Sequence, residues 1–596
     1  GYLTSPDYSE NEGIYRVSAA GGTAELVARD TSNPQFGADS DRVFMLGRKD
    51  GKLQLLSADL DGEARQVHAE GELATEYHVS PRGDFVAFRE NYEVFATPLM
   101  PGGQAVTVGE KASSLPVVRA SKGGADYIGW TQGGDMLTWT MGPVLYRASL
   151  DTMFADAPKE KDAPAFVPPT SGTSLERTVA AAKPSGTVAI TGAKILTMAG
   201  DGAGAIANGT IVITGDRIAA IGPADQIAVP QGASVIDAAG KTIMPGLVDA
   251  HAHGPQGVDD LVPQQNWSLV QNLAMGTTTL HDPSSRASMI FSAAERQRAG
   301  TLLAPRIFST AEIVYGAKAP SVYARIDSYD DALAHIRRIK AQGGISIKNY
   351  NQPRREQRQQ VVAAAREEDM LVVAEGGSLF GMDMNLIADG NSTIEHNVPG
   401  EVFYEDVLQF WEGSQSNYTP TLVVTYGGLA ADPYWRQATD VFDNPLMVHT
   451  PPRQLIAQTA RRVTAPDWAF VDDEAAREAK KLADRGVKVS IGAHGQQAGV
   501  AAHWELWSFA RGGMSPVEAL RAGTIEPARS LGMERDIGSL EVGKLADLLV
   551  LSADPSENIR NSDKIDRVML GGRLYDARTM NEVETGSTRR LPYWWE

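Results

Sequence analysis

The chain has 596 residues, too many for one hydrophobic core and enough for roughly two to four domains. Its 55 Lys and Arg against 74 Asp and Glu leave a net charge of −19, which argues against binding nucleic-acid phosphates or an anionic lipid surface. There is no cysteine, so disulfides, Cys-held zinc, iron–sulfur clusters and thiol nucleophiles are excluded. No apolar run approaches the ~18 residues of a membrane-spanning helix. The chain starts at Gly1 without a signal-peptide pattern, and a cleaved signal or a removed upstream segment would leave the same picture.

Residues 1–150 read as all-β, with short alternating runs broken by Gly, Asp, Ser and Asn. A strand–turn–strand pattern recurs as Phe36–Phe44, Val79–Phe88 and Trp130–Trp139, with starts 43 and 51 residues apart. That is the size of a four-stranded propeller blade, and the pattern resembles the TolB-like (WD40-like) repeat. A propeller needs about four to eight blades to close. Further N-terminal blades, on a second chain or in a separate segment, are therefore expected. Residues 151–185 read as a Pro-containing linker. Short strands with glycine turns then occupy 186–245 and return in 531–596, which suggests one β-sandwich split in sequence. Between them, at 246–530, strands such as Thr277–Asp282, Ile345–Asn349, Leu371–Glu375, Thr393–His396, Thr421–Thr425 and Val487–Ala493 alternate with helices. The helices include Ala332–Gln342, Glu356–Glu368 and Asp473–Arg485. That alternation predicts a (β/α)8 barrel, giving a multidomain α/β plus all-β fold.

The sharpest chemical signal is Ile243-Met-Pro-Gly-Leu-Val-Asp-Ala-His-Ala-His-Gly254. In an extended chain His251 and His253, two apart, project the same way, and paired neutral imidazoles chelate one divalent metal. The segment resembles the opening motif of the amidohydrolase superfamily. So does the tail, Glu518-Ala-Leu-Arg-Ala-Gly-Thr-Ile-Glu-Pro-Ala-Arg-Ser-Leu-Gly followed by Ile537-Gly-Ser-Leu-Glu-Val-Gly-Lys-Leu-Ala-Asp-Leu-Leu-Val-Leu. The resemblance covers about 186–580. With the N-terminal repeats, nearly the whole chain is similar to TolB-propeller amidohydrolase fusions.

The resemblance implies metals at the C-terminal mouth of the barrel, held by His251, His253, Lys348, Glu375, His396 and His494. Lys348 takes the place of a lysine that bridges two metals as an N6-carboxylysine carbamate. Glu375 stands where the fifth strand usually ends in histidine, and His494 where the eighth usually ends in aspartate. The usual general base is thereby displaced, and either His494 or a nearby carboxylate such as Glu375 must serve, with Asp282 in reserve. A carbamylated Lys348 implies two metals about 3.5–4 Å apart. An unmodified lysine implies one metal on His251, His253 and a third ligand. Zinc is the expected ion, with manganese an alternative. Tyr350, Arg354, Arg355, Tyr426, His503 and Trp504 are expected on mouth loops, in reach of substrate. His281, His335, His449, His68 and His78 are read as structural or exposed.

The implied activity is hydrolysis of an amide or peptide-like C–N bond in a small molecule or short peptide by a metal-activated hydroxide. Ester, lactone or imine hydrolysis would use the same site. A propeller-based binding or scaffold protein with a relic barrel is the rival class. A homo-oligomer in the periplasm or secreted is expected from the resemblance, with the cytoplasm as the alternative.

Overall fold

Each copy of the N-terminal repeat is the first hairpin of an antiparallel meander. The hairpins are Ser32–Phe36 with Arg42–Lys49, Ala74–Val79 with Phe85–Glu90, and Asp126–Trp130 with Met136–Met141. Added strands complete sheets of five, four and four. The computed structural model describes residues 13–596 except 101, 103, 156–165, 255, 258–260, 320–321, 378, 401 and 460–463. The start of the first predicted domain (1–150) and part of the predicted linker (151–185) lie outside the described residues.

Period-2 alternation explains how these sheets stack. In the central sheet Val86, Phe88 and Phe95 face one apolar cluster, shared with Leu55 and Tyr77. Ala87, Val94 and Ala96 face the opposite one, shared with Leu137 and Trp139. Each neighbouring pair of sheets thus closes a core between them. They form no closed ring among the described residues.

The two flanks of the barrel meet in a single eight-stranded sheet. Thr242–Pro245 runs antiparallel to Leu548–Leu551 and is the seam, pairing Thr242 with Leu551. Ile190, Ile195, Ile211 and Ile243 from the first flank share one core with Leu548, Met569 and Leu574 from the second.

Between the flanks, Leu247–Asp249, Thr277–Asp282 and Arg306–Ser309 form one parallel sheet. Ser346–Asn349, Leu371–Glu375, Thr393–Glu395 and Asn417–Thr419 form another. Ile345 N donates to Ser309 O (3.4 Å) and links the two. On the far side a bridge joins Tyr418 to Val489, and Ala250 N donates to Ile491 O (3.2 Å), so hydrogen bonds run all the way round. Helices follow the strands. Tyr329–Gln342, for example, starts on a Ser328–Asp331 capping box and ends at Gly343, where φ is 113°. It buries Ala332, Leu333, Ile336 and Ile339 at helical spacing.

Three sequence expectations are corrected here. The seventh strand is Asn417–Thr419, whereas Thr421–Thr425 holds a 3-10 turn, Leu422–Val424. The third strand, Arg306–Ser309, was not anticipated. The predicted 487–493 strand is reduced to the bridge at Val489.

Candidate active site

The C-terminal ends of five barrel segments converge on one cluster of side chains. The first brings Asp249, His251 and His253; the fourth, Lys348; the fifth, Glu375; the sixth, Glu395 and His396; the eighth, His494. His396 and His494 both take left-handed backbone, φ 68° and 56°. That conformation is uncommon for a residue with a Cβ and concentrates at functional sites. It turns both imidazoles back into the mouth, where their rings lie 5.2 Å apart.

His251, His253 and His494 offer ring nitrogens within 4.8 Å of one another. Two of them are oriented from behind by carboxylates. His251 Nδ1 donates to Glu395 Oε2 (2.6 Å), and His253 Nδ1 donates to Asp282 Oδ1 (2.9 Å). Such bonds fix the tautomer and leave the other nitrogen as the ligand. The two Nε2 atoms are 3.1 Å apart. With each Nδ1 turned to a carboxyl group, both Nε2 atoms are left on the side where a divalent cation could be held. Burial, and then the Lys348 cation, hold His251 well below the usual histidine range. Burial lowers His494 to about 3, with the neighbouring histidines adding to the effect. Both rings are therefore neutral, as metal binding requires.

Beside this trio lies a second group. Lys348, 1% exposed, places Nζ 2.6 Å from Glu375 Oε2, and His396 Nε2 is 3.4 Å from Glu375 Oε1. Burial opposes ionisation of Glu375, but the Lys348 ammonium and His396 outweigh it and hold the carboxyl far below its usual range. His396 Nδ1 pairs with Thr421 Oγ1 (2.7 Å). His396 is thus tied to Glu375 and Thr421, while the close nitrogen cluster consists of the other three histidines.

The remaining expected residues separate into near and far. Tyr350 is half-buried and faces the cluster; burial, then the Glu375 charge, push its hydroxyl up to about 12. The Tyr426 ring lies 5.6 Å from that of His396. Asp282, expected as a reserve base, lies behind His253, where Oδ1 pairs with His253 Nδ1 and accepts from Ser284 N. Arg354 pairs with Glu356 and Arg355 with Asp389, so neither guanidinium points into the site. His503 and Trp504 are corrected from a mouth loop to the buried helix Val500–Arg511. His503 bonds Ser562 Oγ and Met275 O there, and Trp504 lies under the Arg436 guanidinium. His281 bonds Ala250 O and Ser346 Oγ, and His449 bonds Tyr593 and Ala577 O, both as structural groups. In the N-terminal sheets His68 bonds Ser57 and His78 bonds Glu76.

Sequence reasoning missed two buried acids, Asp249 and Glu395, and placed a third, Glu505, on a mouth loop. Asp249 Oδ1 accepts from His251 N and Ala493 N, stitching the first segment to the eighth; burial raises its carboxyl to about 6. Its signal was present, because Asp249, His251 and His253 share one face of an extended chain. Glu395 backs His251. Glu505 accepts from Val423 N (2.7 Å) and Gly492 N (3.2 Å) beneath the mouth.

The amidohydrolase family model matches residues 242–575, more than half of the chain. Imidazolonepropionase of Symbiobacterium thermophilum is 41% identical over 81 residues, 13% of this chain and 17% of that protein. That of Thermoplasma acidophilum is 36% identical over 100 residues, 16% and 24%. The chain therefore matches only a minor share of these curated relatives' length. Among solved structures, a Xaa-Pro dipeptidase with bound methionine is similar at TM-score 0.51 and 21% identity, over 65% of this chain and 100% of that one. Molinate hydrolase is similar at 0.52 and 18%, over 69% and 99%. At such identities the likeness is one of fold, and it fits the barrel described above.

Proposed function

Because the chain belongs to the amidohydrolase family, we propose that it is a metal-dependent hydrolase cleaving an amide or peptide-like C–N bond in a small molecule or short peptide. The observation that carries this reading is the pair of facing Nε2 atoms of His251 and His253, each ring backed by a buried carboxylate, with His494 beside them. Three imidazole nitrogens within 4.8 Å of one another fit a divalent ion, and nitrogen donors suit zinc. When bound, such an ion lowers the pKa of water and polarises a scissile carbonyl.

Charge balance bears on the metal count. An unmodified Lys348 neutralises Glu375, leaving the histidine trio to hold one ion. A carbamate on Lys348 would set two anions side by side and require a second.

Glu375, kept ionised, is placed to accept a hydrogen bond from the attacking water and so to orient it. Lys348 and His396 hold it in place. Tyr350 and Tyr426, whose hydroxyls burial keeps protonated, supply hydrogen bonds to substrate beside His396.

The test is elemental analysis of the purified protein alongside amide hydrolysis. One zinc per chain is expected, with metal and activity lost together in His251→Ala. Undiminished hydrolysis by a stringently metal-free preparation would overturn the reading. Two ions per chain with a carbamate mass on Lys348 would replace the one-metal form with the two-metal form.

A further inference from the structure

One hairpin of the N-terminal sheets is sunk into the barrel. Strands Phe85–Glu90 and Glu93–Pro98 are joined by Asn91 and Tyr92, both left-handed, φ 50° and 64°. A two-residue turn of that kind suits asparagine, but the conformation is costly for a bulky tyrosine. Tyr92 is nevertheless only 7% exposed, and its apolar neighbours belong to the barrel. It shares a buried cluster with Ala311, Val314, Ala324 and Ile326. All four lie on the segment between the third barrel strand and the helix Tyr329–Gln342, of which 310–319 and 322–328 are described.

Polar contacts from the same sheets pin this segment along its length. Arg325 N donates to Asn91 Oδ1 (2.8 Å), and the Arg325 guanidinium pairs with Glu110 (2.6 Å). Lys318 pairs with Glu72 (2.9 Å). The Arg338 guanidinium stacks 3.8 Å from the Tyr92 ring centroid while bonding Glu312 at 3.0 Å.

The near end of the segment reaches the candidate site. Val314 N donates to Lys348 O (2.9 Å), and Tyr350 N donates to Val314 O (3.2 Å). The Tyr315 ring meets that of Tyr350 edge-on at 5.2 Å. Gly316 N donates to Gln352 (2.6 Å). A continuous packed path thus leads from Tyr92 to the strand end that carries Lys348 and Tyr350.

We propose that the Asn91–Tyr92 tip is a positioning element for the active site: it clamps the segment after the third strand, so that Val314 and Tyr315 fix Tyr350 against the substrate chamber and limit the size of substrate admitted. The role in substrate choice rests on the hydrolase reading; the mechanical coupling does not.

The test uses the full chain. Tyr92→Ala removes the plug, whereas Tyr92→Phe keeps all of its packing, since Tyr92 Oη has no hydrogen-bond partner among the described residues. In Tyr92→Ala, faster amide hydrogen exchange is expected at Val314, Ala324 and Tyr350. KM for an amide series should rise by about twofold to thirtyfold, as for mutations along a packed network, with kcat and metal content unchanged. The rise should be steepest for the smallest substrates. Tyr92→Phe should match the parent in every readout. Should Tyr92→Ala fail to fold, Asn91→Gly removes the bond to Arg325 without straining the turn, and the same exchange pattern is expected. Unchanged exchange at Tyr350 in the folded variant would overturn the coupling. Changed exchange with an unchanged KM profile would overturn the role in substrate choice. If the parent hydrolyses no amide, the hydrolase reading fails, and exchange at Tyr350 alone decides the coupling.

Discussion

Removing Glu375 alone should damage the barrel more than removing Glu375 and Lys348 together. The Nζ and Oε2 atoms are 2.6 Å apart, and the two residues are 1% and 8% exposed. At an effective dielectric of about 20, unit charges at that distance attract by about 6 kcal/mol, a gross figure from which the desolvation of both ions must be subtracted. Glu375→Ala keeps the desolvation cost of Lys348 and loses the attraction, and breaking a buried pair in this way costs about 3–5 kcal/mol. Lys348→Met with Glu375→Leu removes both terms and should be neutral or stabilising by up to about 4 kcal/mol. The assay is denaturant unfolding of metal-free protein. It follows tryptophan fluorescence in a background carrying Trp130→Phe and Trp139→Phe, so that the buried barrel tryptophans Trp411, Trp435, Trp504 and Trp507 report the barrel transition apart from the N-terminal sheets. Both variants should be inactive, so activity does not confuse the comparison. A Glu375→Ala protein as stable as the parent would refute the reasoning. It would also point to a carbamate on Lys348, because a second anion beside Glu375 is relieved, not stranded, by its removal.

Two further outcomes follow from the same structure. Asp282→Asn leaves His253 in place but weakens the acceptor behind its Nδ1, and metal affinity should fall about 10–100-fold, measured by competition with a chelator. His335, buried and bonded to Arg325 O, is lowered to about 3 by burial and then by Arg338. The unfolded chain binds its proton below about 6.5 while the folded chain does not, so His335 makes stability fall as pH drops from there towards 3. His335→Gln keeps the bond to Arg325 O and should reduce that slope by about 1.4 kcal/mol per pH unit, checked by unfolding at several pH values.

The parts of this fold that were legible in the sequence are those set by local periodicity. The three N-terminal hairpins were marked by apolar alternation around polar turns. His251 and His253 were marked by their spacing after Pro-Gly. The helix Val500–Arg511 was not legible, because ten of its residues are buried and no polar face breaks the pattern. Without that helical signature, His503-Trp504-Glu505 passed for a loop. The seventh strand was displaced because Leu422-Val-Val424 has strand composition, yet it sits in a tight turn after Thr421, whose φ is 47°. The partners Glu395 and Asp282 come from other strands and Thr421 from the turn after the seventh, and only the register between strands brings them to the histidines. A single chain read linearly does not contain that register.

The seam between Thr242–Pro245 and Leu548–Leu551 has a consequence for how the molecule comes to be folded. Every barrel strand is synthesised between the two halves of the pair. Closing a longer loop adds little to the equilibrium cost, since each doubling of length adds only about 0.6 kcal/mol. The kinetic effect is larger, because contacts between distant residues form slowly. Until the second flank emerges, Thr242–Pro245 has a bare edge, and all four of its residues are buried in the finished protein. A nascent chain stalled inside the barrel would therefore display an apolar strand paired on one side only, with Thr187–Leu196, and bare on the other, the kind of edge that recruits other chains and that chaperones exist to shield.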